Sequence, residues 1–346
     1  MNYDSLVIFI DTPARHWQDR RNRRRLVMKL DELAALYRQM LLIRRAEERL
    51  QKLFADGLVP GFLHLSIGQE AVPVGVSHAL TDRDTVSSNH RGHGHTLAKG
   101  VDLNGFFAEI LGKATGLCKG RGGSMHVADL SKGMLGANGI VGAGLPITTG
   151  SALAHKIQGQ GHIAVVYFGD GALAEGVLHE CLNMAALWDL PILFVCENNG
   201  WSEFSPTDRQ LATSLDKLAK AFGITYRAVD GNVVADVVAE SGRLVKAMRK
   251  SPAPAILECH TTRVRGHFEG DRQDYRDSGE IAGLSERDPL RLCAETMARA
   301  GGTPELLAEI AGSVEAEIKA ATQAALEAPL PRSEDILADV YTRAEV

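Results

Sequence analysis

Asp170 and Asn199 are well separated in sequence, yet each stands at the end of an apolar run. A β-branched segment, Ile163–Phe168, stops at Gly169-Asp170-Gly171. A helix-forming stretch rich in Ala and Leu follows, broken at Asp189 and Pro191, and a second apolar run, Ile192–Cys196, ends at Glu197-Asn198-Asn199. This reads as strand, helix, strand, with both strands apolar throughout, as expected of strands covered on both faces of a parallel sheet. The carboxyl ends of neighbouring parallel strands lie together, and ligands bind there. Asp170 and Asn199 should therefore be close in space. A carboxylate and an amide oxygen are hard ligands suited to Mg²⁺, which is usually held by a few protein groups and by phosphate oxygens. The flanking glycines let backbone approach a phosphate, and an acidic residue beside a phosphate makes sense only with a cation between them. A bare GDG occurs in many turns; its pairing with Asn-Asn at strand ends is the specific signal.

A second group of reactive residues is Ser87–Gly100, where His90, Arg91, His93 and His95 crowd together. Gly92 and Gly94 favour a loop here. Three readings are open: a transition-metal site, against which no nearby Cys or acidic ligand completes the set; a phosphate and acid/base cluster with Arg91 on phosphate and His93 moving a proton near neutral pH; or a plain surface loop. Cys118–Gly150 is dense in glycine without being low-complexity, and it feeds a helix after Leu145. Glycine-rich backbone leading into a helix can cradle a phosphate or a ring.

The remaining elements position these groups. Asp31 is expected to cap a helix running to about Ala55, with Leu33, Leu36, Tyr37, Met40, Ile43 and Leu50 on one stripe. Gly68-Gln69-Glu70 opens another helix, where Glu70 reads as compensation of the helix dipole. After a polar, turn-rich Gly200–Gln210 come a helix (Leu215–Phe222), a strand (Thr225–Val229), a helix (Val233–Lys250) and a strand (Ala255–His260). Arg263–Glu280 shows no periodicity, and a polar loop of that length in a compact domain is commonly functional. A helical region from about residue 285 closes the chain. The fold class is thus α/β: a parallel sheet flanked by helices, with a helical C-terminal region. Residues 28–346 form a single domain, and residues 1–27 read as a disordered extension, with Met28 as an alternative start.

Length and composition are consistent with this. The 346 residues carry a net charge of −5 and no domain-scale basic excess, which argues against nucleic acid. No apolar stretch is long enough to span a membrane. The five cysteines include no CxxC pair and read as reduced thiols of a cytoplasmic protein. Leu6–Ile10 is too short for a signal-peptide core, and the basic run Arg20–Arg25 follows it, the reverse of secretory order.

These motifs together resemble the alpha subunit of the thiamine diphosphate-dependent dehydrogenase component of 2-oxo acid dehydrogenase complexes. The resemblance covers about Leu33–Tyr341. It is carried by GQEA (Gly68–Ala71), HRGHG (His90–Gly94), KGRGGSMH (Lys119–His126), GANGIVGAG (Gly136–Gly144), GDGA (Gly169–Ala172), NMAALWDLP (Asn183–Pro191), ENN (Glu197–Asn199) and GHFEGDRQDYR (Gly266–Arg276). Among members, HRGHGH, ADLSKGMLGANGIVG, GHFEGD and the terminal LADVY look most like acetoin dehydrogenase alpha subunits, with pyruvate dehydrogenase alpha subunits next.

The resemblance implies roles at matching positions. Asp170, Asn199 and the backbone carbonyl of Trp201 look like Mg²⁺ ligands. His90, Arg91 and His267 look like contacts to the diphosphate of the cofactor, as do Gly169, Gly171 and Ala172 through backbone. Gly139 and Val141 look like backbone contacts to its aminopyrimidine. His93 and His267 are similar to the family's acid/base histidines. Phe268 and Asp274 stand where some relatives carry regulatory serines, so kinase control at those positions is not expected. Leu173-Ala174-Glu175 departs from the Ser/Ala-Asn-Gln common after GDGA.

The implied activity is cleavage of acetoin, or decarboxylation of pyruvate or another 2-oxo acid, with transfer of the two-carbon unit to a lipoyl-bearing acyltransferase. One diphosphate-binding sheet without a second for the aminopyrimidine implies a beta subunit and an alpha-two beta-two assembly. Two other classes compete with this reading. A nicotinamide-dependent oxidoreductase fits poorly, because Gly169-x-Gly171 lacks the next glycine of GxGxxG and Asp170 would repel a bare pyrophosphate. A non-catalytic binding subunit that keeps the fold is the other, and retention of Arg91, His93, Asp170, Asn199 and His267 together argues against it.

Overall fold

The computed structural model describes residues 28–337. The reading of residues 1–27 and all but the first residue of the terminal LADVY motif lie outside them. Helix α1 (Leu30–Ala55) buries Leu33, Leu36, Met40, Ile43 and Leu50, the stripe its periodicity predicts. The expected cap differs: Lys29 occupies the capping position without a side-chain bond, and Asp31 lies inside the first turn, where its charge still complements the dipole. Helix α2 (Ala71–Ser77) follows. Glu70 before it does more than face a dipole. Its buried carboxylate accepts from Arg44 Nε at 2.5 Å and from the Gly68 N–H at 3.0 Å, tying α1 to α2.

Strand β1 (Thr85–Ser87) leads into helix α3 (His93–Ala98). The loop expected over His90–His95 is therefore half helix. Gly94 is there for close packing rather than to break the helix, since a Cβ would sit 3.2 Å from both Pro73 Cγ and Ser66 Oγ. Helix α4 (Leu103–Ile110) is capped by Asp102, and the glycine-rich stretch contains strand β2 (Met134–Gly136). Helix α5 (Gly144–Gln158), strand β3 (Ala164–Gly169), helix α6 (Gly176–Leu187) and strand β4 (Ile192–Asn198) then run as the sequence indicates.

Strands β5 (Trp201–Ser202) and β6 (Ser205–Pro206) form a two-stranded antiparallel hairpin. Helix α7 (Leu215–Ala221), strand β7 (Thr225–Asp230), helix α8 (Val234–Lys250) and strand β8 (Ala255–His260) complete the sheet elements. The aperiodic segment after β8 carries α9 (Ser278–Gly283) at its end, and helices α10 (Pro289–Arg299) and α11 (Pro304–Glu327) close the described chain.

Six strands form one parallel sheet in the order β2-β1-β3-β4-β8-β7. Alternation along the central strands feeds two apolar clusters. Val165, Tyr167, Leu193 and Val195 enter the cluster shared with α1, α2, α4 and α8, whereas Val166, Phe168, Phe194 and Cys196 enter the one shared with α5, α6 and α7. The chain leaves β1 outward to β2 and returns to β3 on the other side of β1. That reversal opens a crevice at the strand ends, the usual ligand position in such sheets.

Candidate active site at the strand ends

A cavity of about 220 Å³ lies over the carboxyl ends of β1, β3 and β4. The register pairs Gly169 with Glu197, so Asp170 and Asn199 emerge beside one another as the sequence suggests. Both line the cavity, together with Gly169, Gly171, Ala172 and Trp201. Asp170 is buried. Thr207 donates its hydroxyl to Oδ2, while Oδ1 has no partner among the described residues. Burial pushes its pKa up to about 6, with the Thr207 bond pulling the other way. Asn199 Nδ2 donates to Gln69 at 3.1 Å, and its Oδ1 accepts the Trp201 N–H at 3.1 Å. A buried carboxylate with one orphaned oxygen, next to an oriented amide, is a donor set that a small hard cation would complete. Gly171 lies close against the hairpin: a Cβ there would sit 2.6 Å from Ser202 Oγ and 3.1 Å from its Cβ, so the serine hydroxyl would have to turn aside.

Arg91 and Arg263 supply positive charge from the segments after β1 and β8, and both are buried. Arg91 donates to the carbonyls of Leu65 and, at 2.9 Å, His267. Arg263 Nη2 donates to Tyr275 at 2.7 Å, and its Nε is buried without a partner among the described residues. Burial, and then the charge of the other guanidinium, bring Arg91 down to about 10, so it stays protonated at neutral pH. Two buried guanidiniums at one cavity repel each other, and a polyanion relieves that repulsion. The motif reading found Arg91 and overlooked Arg263, although two arginines after an apolar strand (Thr262-Arg263-Val264-Arg265) were a visible signal.

The histidines divide differently from the sequence expectation. His90 and His267 line the cavity, and so does His64, which sequence reasoning missed. His64 lies in an extended apolar segment, Phe62–Ser66, that carries no motif of its own. Burial first, then Arg91, pushes His64 down to about 4 and His267 to about 3, and burial likewise depresses His90. All three rings are neutral at pH 7. His93 is not brought to the cavity. It is fully buried behind it, with Nδ1 3.1 Å from Glu47 and Nε2 2.8 Å from Ser124. The physical reason is that α3 begins at His93, turning its side chain toward α1. Gly139 and Val141, expected to meet an aminopyrimidine, line the cavity on its open side, where Val141 and its neighbour Ile140 are exposed.

A family model described as dehydrogenase E1 component matches residues 38–334. The chain belongs to that family. Membership implies dependence on thiamine diphosphate. This E1 chain is 46% identical over 321 residues to the alpha subunit of acetoin:2,6-dichlorophenolindophenol oxidoreductase of Cupriavidus necator, covering 91% of this chain and 96% of the relative. It is 44% identical to the protein of the same name in Bacillus subtilis over 317 residues, 90% of this chain and 93% of the relative. The pyruvate dehydrogenase E1 component subunit alpha of Zymomonas mobilis is 41% identical over 313 residues, 90% and 88% of the two chains. These relatives are named as alpha subunits, which implies a beta partner. Among the described residues of this E1 chain, no helix is long and apolar enough to cross a membrane.

Proposed function

We propose that this chain is the alpha subunit of a thiamine diphosphate- and Mg²⁺-dependent dehydrogenase that cleaves acetoin and passes the two-carbon unit to the lipoyl group of an acyltransferase partner. The observation that carries the cofactor reading is the orphaned, buried Oδ1 of Asp170 facing the same cavity as two buried guanidiniums. The acetoin assignment is supported by the two acetoin-oxidising relatives at 46% and 44% identity. Pyruvate is the second reading, favoured by the relative at 41%.

Asp170, Asn199 and the carbonyl of Trp201 would hold Mg²⁺, with backbone at Gly169, Gly171 and Ala172 approaching the diphosphate and Arg91, Arg263 and His90 facing its charge. The cofactor supplies, when bound, the carbanion nucleophile and electron sink that no side chain here provides. The chain moves the protons. Release of acetaldehyde from acetoin requires removal of a hydroxyl proton, whereas loss of CO₂ from a 2-oxo acid does not. Neutral His64 and His267 are the bases within the cavity, and diphosphate charge beside Arg91 and Arg263 would lift their depressed pKa values back toward neutrality. His93 then acts from behind, holding Ser124 and Glu47.

Residues 28–346 are taken as one domain, and the exposed Ile140 and Val141 at the cavity mouth are suited to cover by the beta subunit in an alpha-two beta-two assembly. Five thiols without a disulfide fit the reducing cytoplasm. The test is co-expression with a beta subunit and assay of acetoin, pyruvate and branched 2-oxo acids with an artificial electron acceptor. Acetoin should give the highest kcat/KM and the isolated chain no turnover. Full activity without a partner, or none on acetoin with one, would overturn the reading.

A further inference from the structure

We propose that His64, His90 and His267 form a binding site for one Zn²⁺, or a similar imidazole-preferring divalent ion, separate from the Mg²⁺ position at Asp170. The three come from unrelated segments: the extended stretch before α2, the turn after β1, and the loop after β8. One ring nitrogen from each lies within 4.8 Å of the other two. Tetrahedral Zn²⁺ with Zn–N bonds of 2.0–2.1 Å spaces its ligand nitrogens about 3.4 Å apart. Side-chain rotations of roughly 1 Å would close the difference. The ring pairs are tilted or edge-on, with centroids 4.8 to 5.3 Å apart, and an unstacked arrangement lets lone pairs converge.

A separate observation points to a ligand. His64 is more than nine-tenths buried, and its Nδ1 has no partner among the described residues. Burial and Arg91 keep His64 and His267 unprotonated at neutral pH, so a metal displaces no proton from the ligating nitrogens. Donor type sets the choice of ion. Three imidazoles without a carboxylate suit Zn²⁺, Co²⁺ or Cu²⁺ and not Mg²⁺, which demands oxygen. The adjoining cavity leaves a fourth position for water. Arg91 and Arg263 oppose the ion; Arg91 is engaged with carbonyls, and Arg263 with the Glu203 carbonyl, Tyr275 and, through Nη1 at 3.4 Å, His267 Nδ1, so that ring would ligate through Nε2. The consequence for activity rests on the proposed function: a bound Zn²⁺ would occupy both proton-transfer histidines and inhibit competitively with the diphosphate.

The test is calorimetric titration of the metal-free full chain with ZnCl₂, paired with the visible spectrum of the Co²⁺ form. One Zn²⁺ per chain is expected, with at least tenfold weaker binding in His90→Gln and in His267→Gln, unchanged binding in His162→Gln, and no displacement by millimolar Mg²⁺. Co²⁺ should show the intense bands of a four-coordinate, nitrogen-ligated ion. Absence of saturable binding, equal affinity in the His90→Gln/His267→Gln double variant, or the pale spectrum of octahedral Co²⁺ would each overturn the site. If the variants fail to fold, the Co²⁺ spectrum of the unmodified chain decides. Thiamine diphosphate with Mg²⁺ should lower the apparent Zn²⁺ affinity; Zn²⁺ binding without that competition would uphold the metal site and count against the diphosphate reading.

Discussion

Thr207 reaches across from the end of the β5–β6 hairpin to donate its hydroxyl to one carboxylate oxygen of Asp170, leaving the other oxygen buried and unpartnered. The folded chain thus holds a carboxylate poised for a cation at an electrostatic disadvantage. A folded-state pKa of about 6, above the ordinary 3.8, means that protonated Asp170 is favoured. The associated stability is present below the unfolded value and lost as pH rises through about 6. Asp170→Asn should therefore stabilise the metal-free chain at pH 7.5 by up to about 3 kcal/mol. The same change should abolish Mg²⁺-dependent cofactor binding and turnover. Urea unfolding with and without Mg²⁺ and thiamine diphosphate measures both. A variant less stable than the parent in the absence of ligands would contradict the account.

The two buried arrangements of histidine predict opposite phenotypes. His64 faces the cavity with a nitrogen to spare, whereas both nitrogens of His93 are engaged by Glu47 and Ser124. His64→Gln should lower kcat by about 10²-fold or more, the usual scale for a lost acid/base group, while leaving the midpoint of thermal unfolding nearly unchanged. His93→Gln strands Glu47 or Ser124 and should destabilise by about 1–3 kcal/mol, with any activity loss following the unfolded fraction. Paired thermal melts and steady-state kinetics separate them, and a stable but inactive His93→Gln would return His93 to the chemistry.

The strongest physical signals were the legible ones. β3 and β4 are long enough, and buried on both faces enough, to read as continuous apolar runs, and their ends brought Asp170 and Asn199 together as expected. β1 and β2, of three residues each, are too short to express a period, so the switch in strand order that opens the crevice was invisible. The histidine-rich segment misled for a related reason. Its glycines looked like loop residues, yet Gly94 serves close packing inside α3, and the helix start at His93 turns that ring away from the cavity. His64 belongs to the site through tertiary placement alone, whereas Arg263 stood in a visible pair of arginines just after β8.

Asp84 offers a pH test away from the cavity. Its buried carboxylate accepts from the N–H groups of Thr81 at 2.7 Å and Ile163 at 3.0 Å, and from Arg249 Nη2 at 2.6 Å, joining the starts of β1 and β3 to α8. Burial opposes ionisation, but these hydrogen bonds outweigh it and hold the pKa below the ordinary 3.8. With the folded value depressed, the stabilisation is present above the unfolded value and lost as pH falls through the folded one. Asp84→Asn should cost about 3–5 kcal/mol near neutrality, the scale for breaking one side of a buried pair. The gap between variant and parent should narrow below pH 4. A pH-independent difference in unfolding free energy would refute this.

Gly68 couples backbone strain to the metal position. Its φ is +98°, and a Cβ there would lie 2.4 Å from the Thr262 carbonyl oxygen and 2.6 Å from Val264 Cγ2, so neither conformation nor space admits a side chain. The obstructing carbonyl belongs to backbone immediately after β8 and cannot swing aside as a flexible side chain would. Gly68→Ala should destabilise by about 2–4 kcal/mol, combining an unfavourable φ with overpacking. The displacement should also reach the next residue, Gln69, whose Oε1 accepts from Asn199 Nδ2 and so orients the amide oxygen offered to the cation. Folded Gly68→Ala protein, assayed at low temperature, should need at least several-fold more Mg²⁺ for half-maximal activity. Loss of stability with unchanged Mg²⁺ dependence would show that Gln69 does not set the orientation of Asn199.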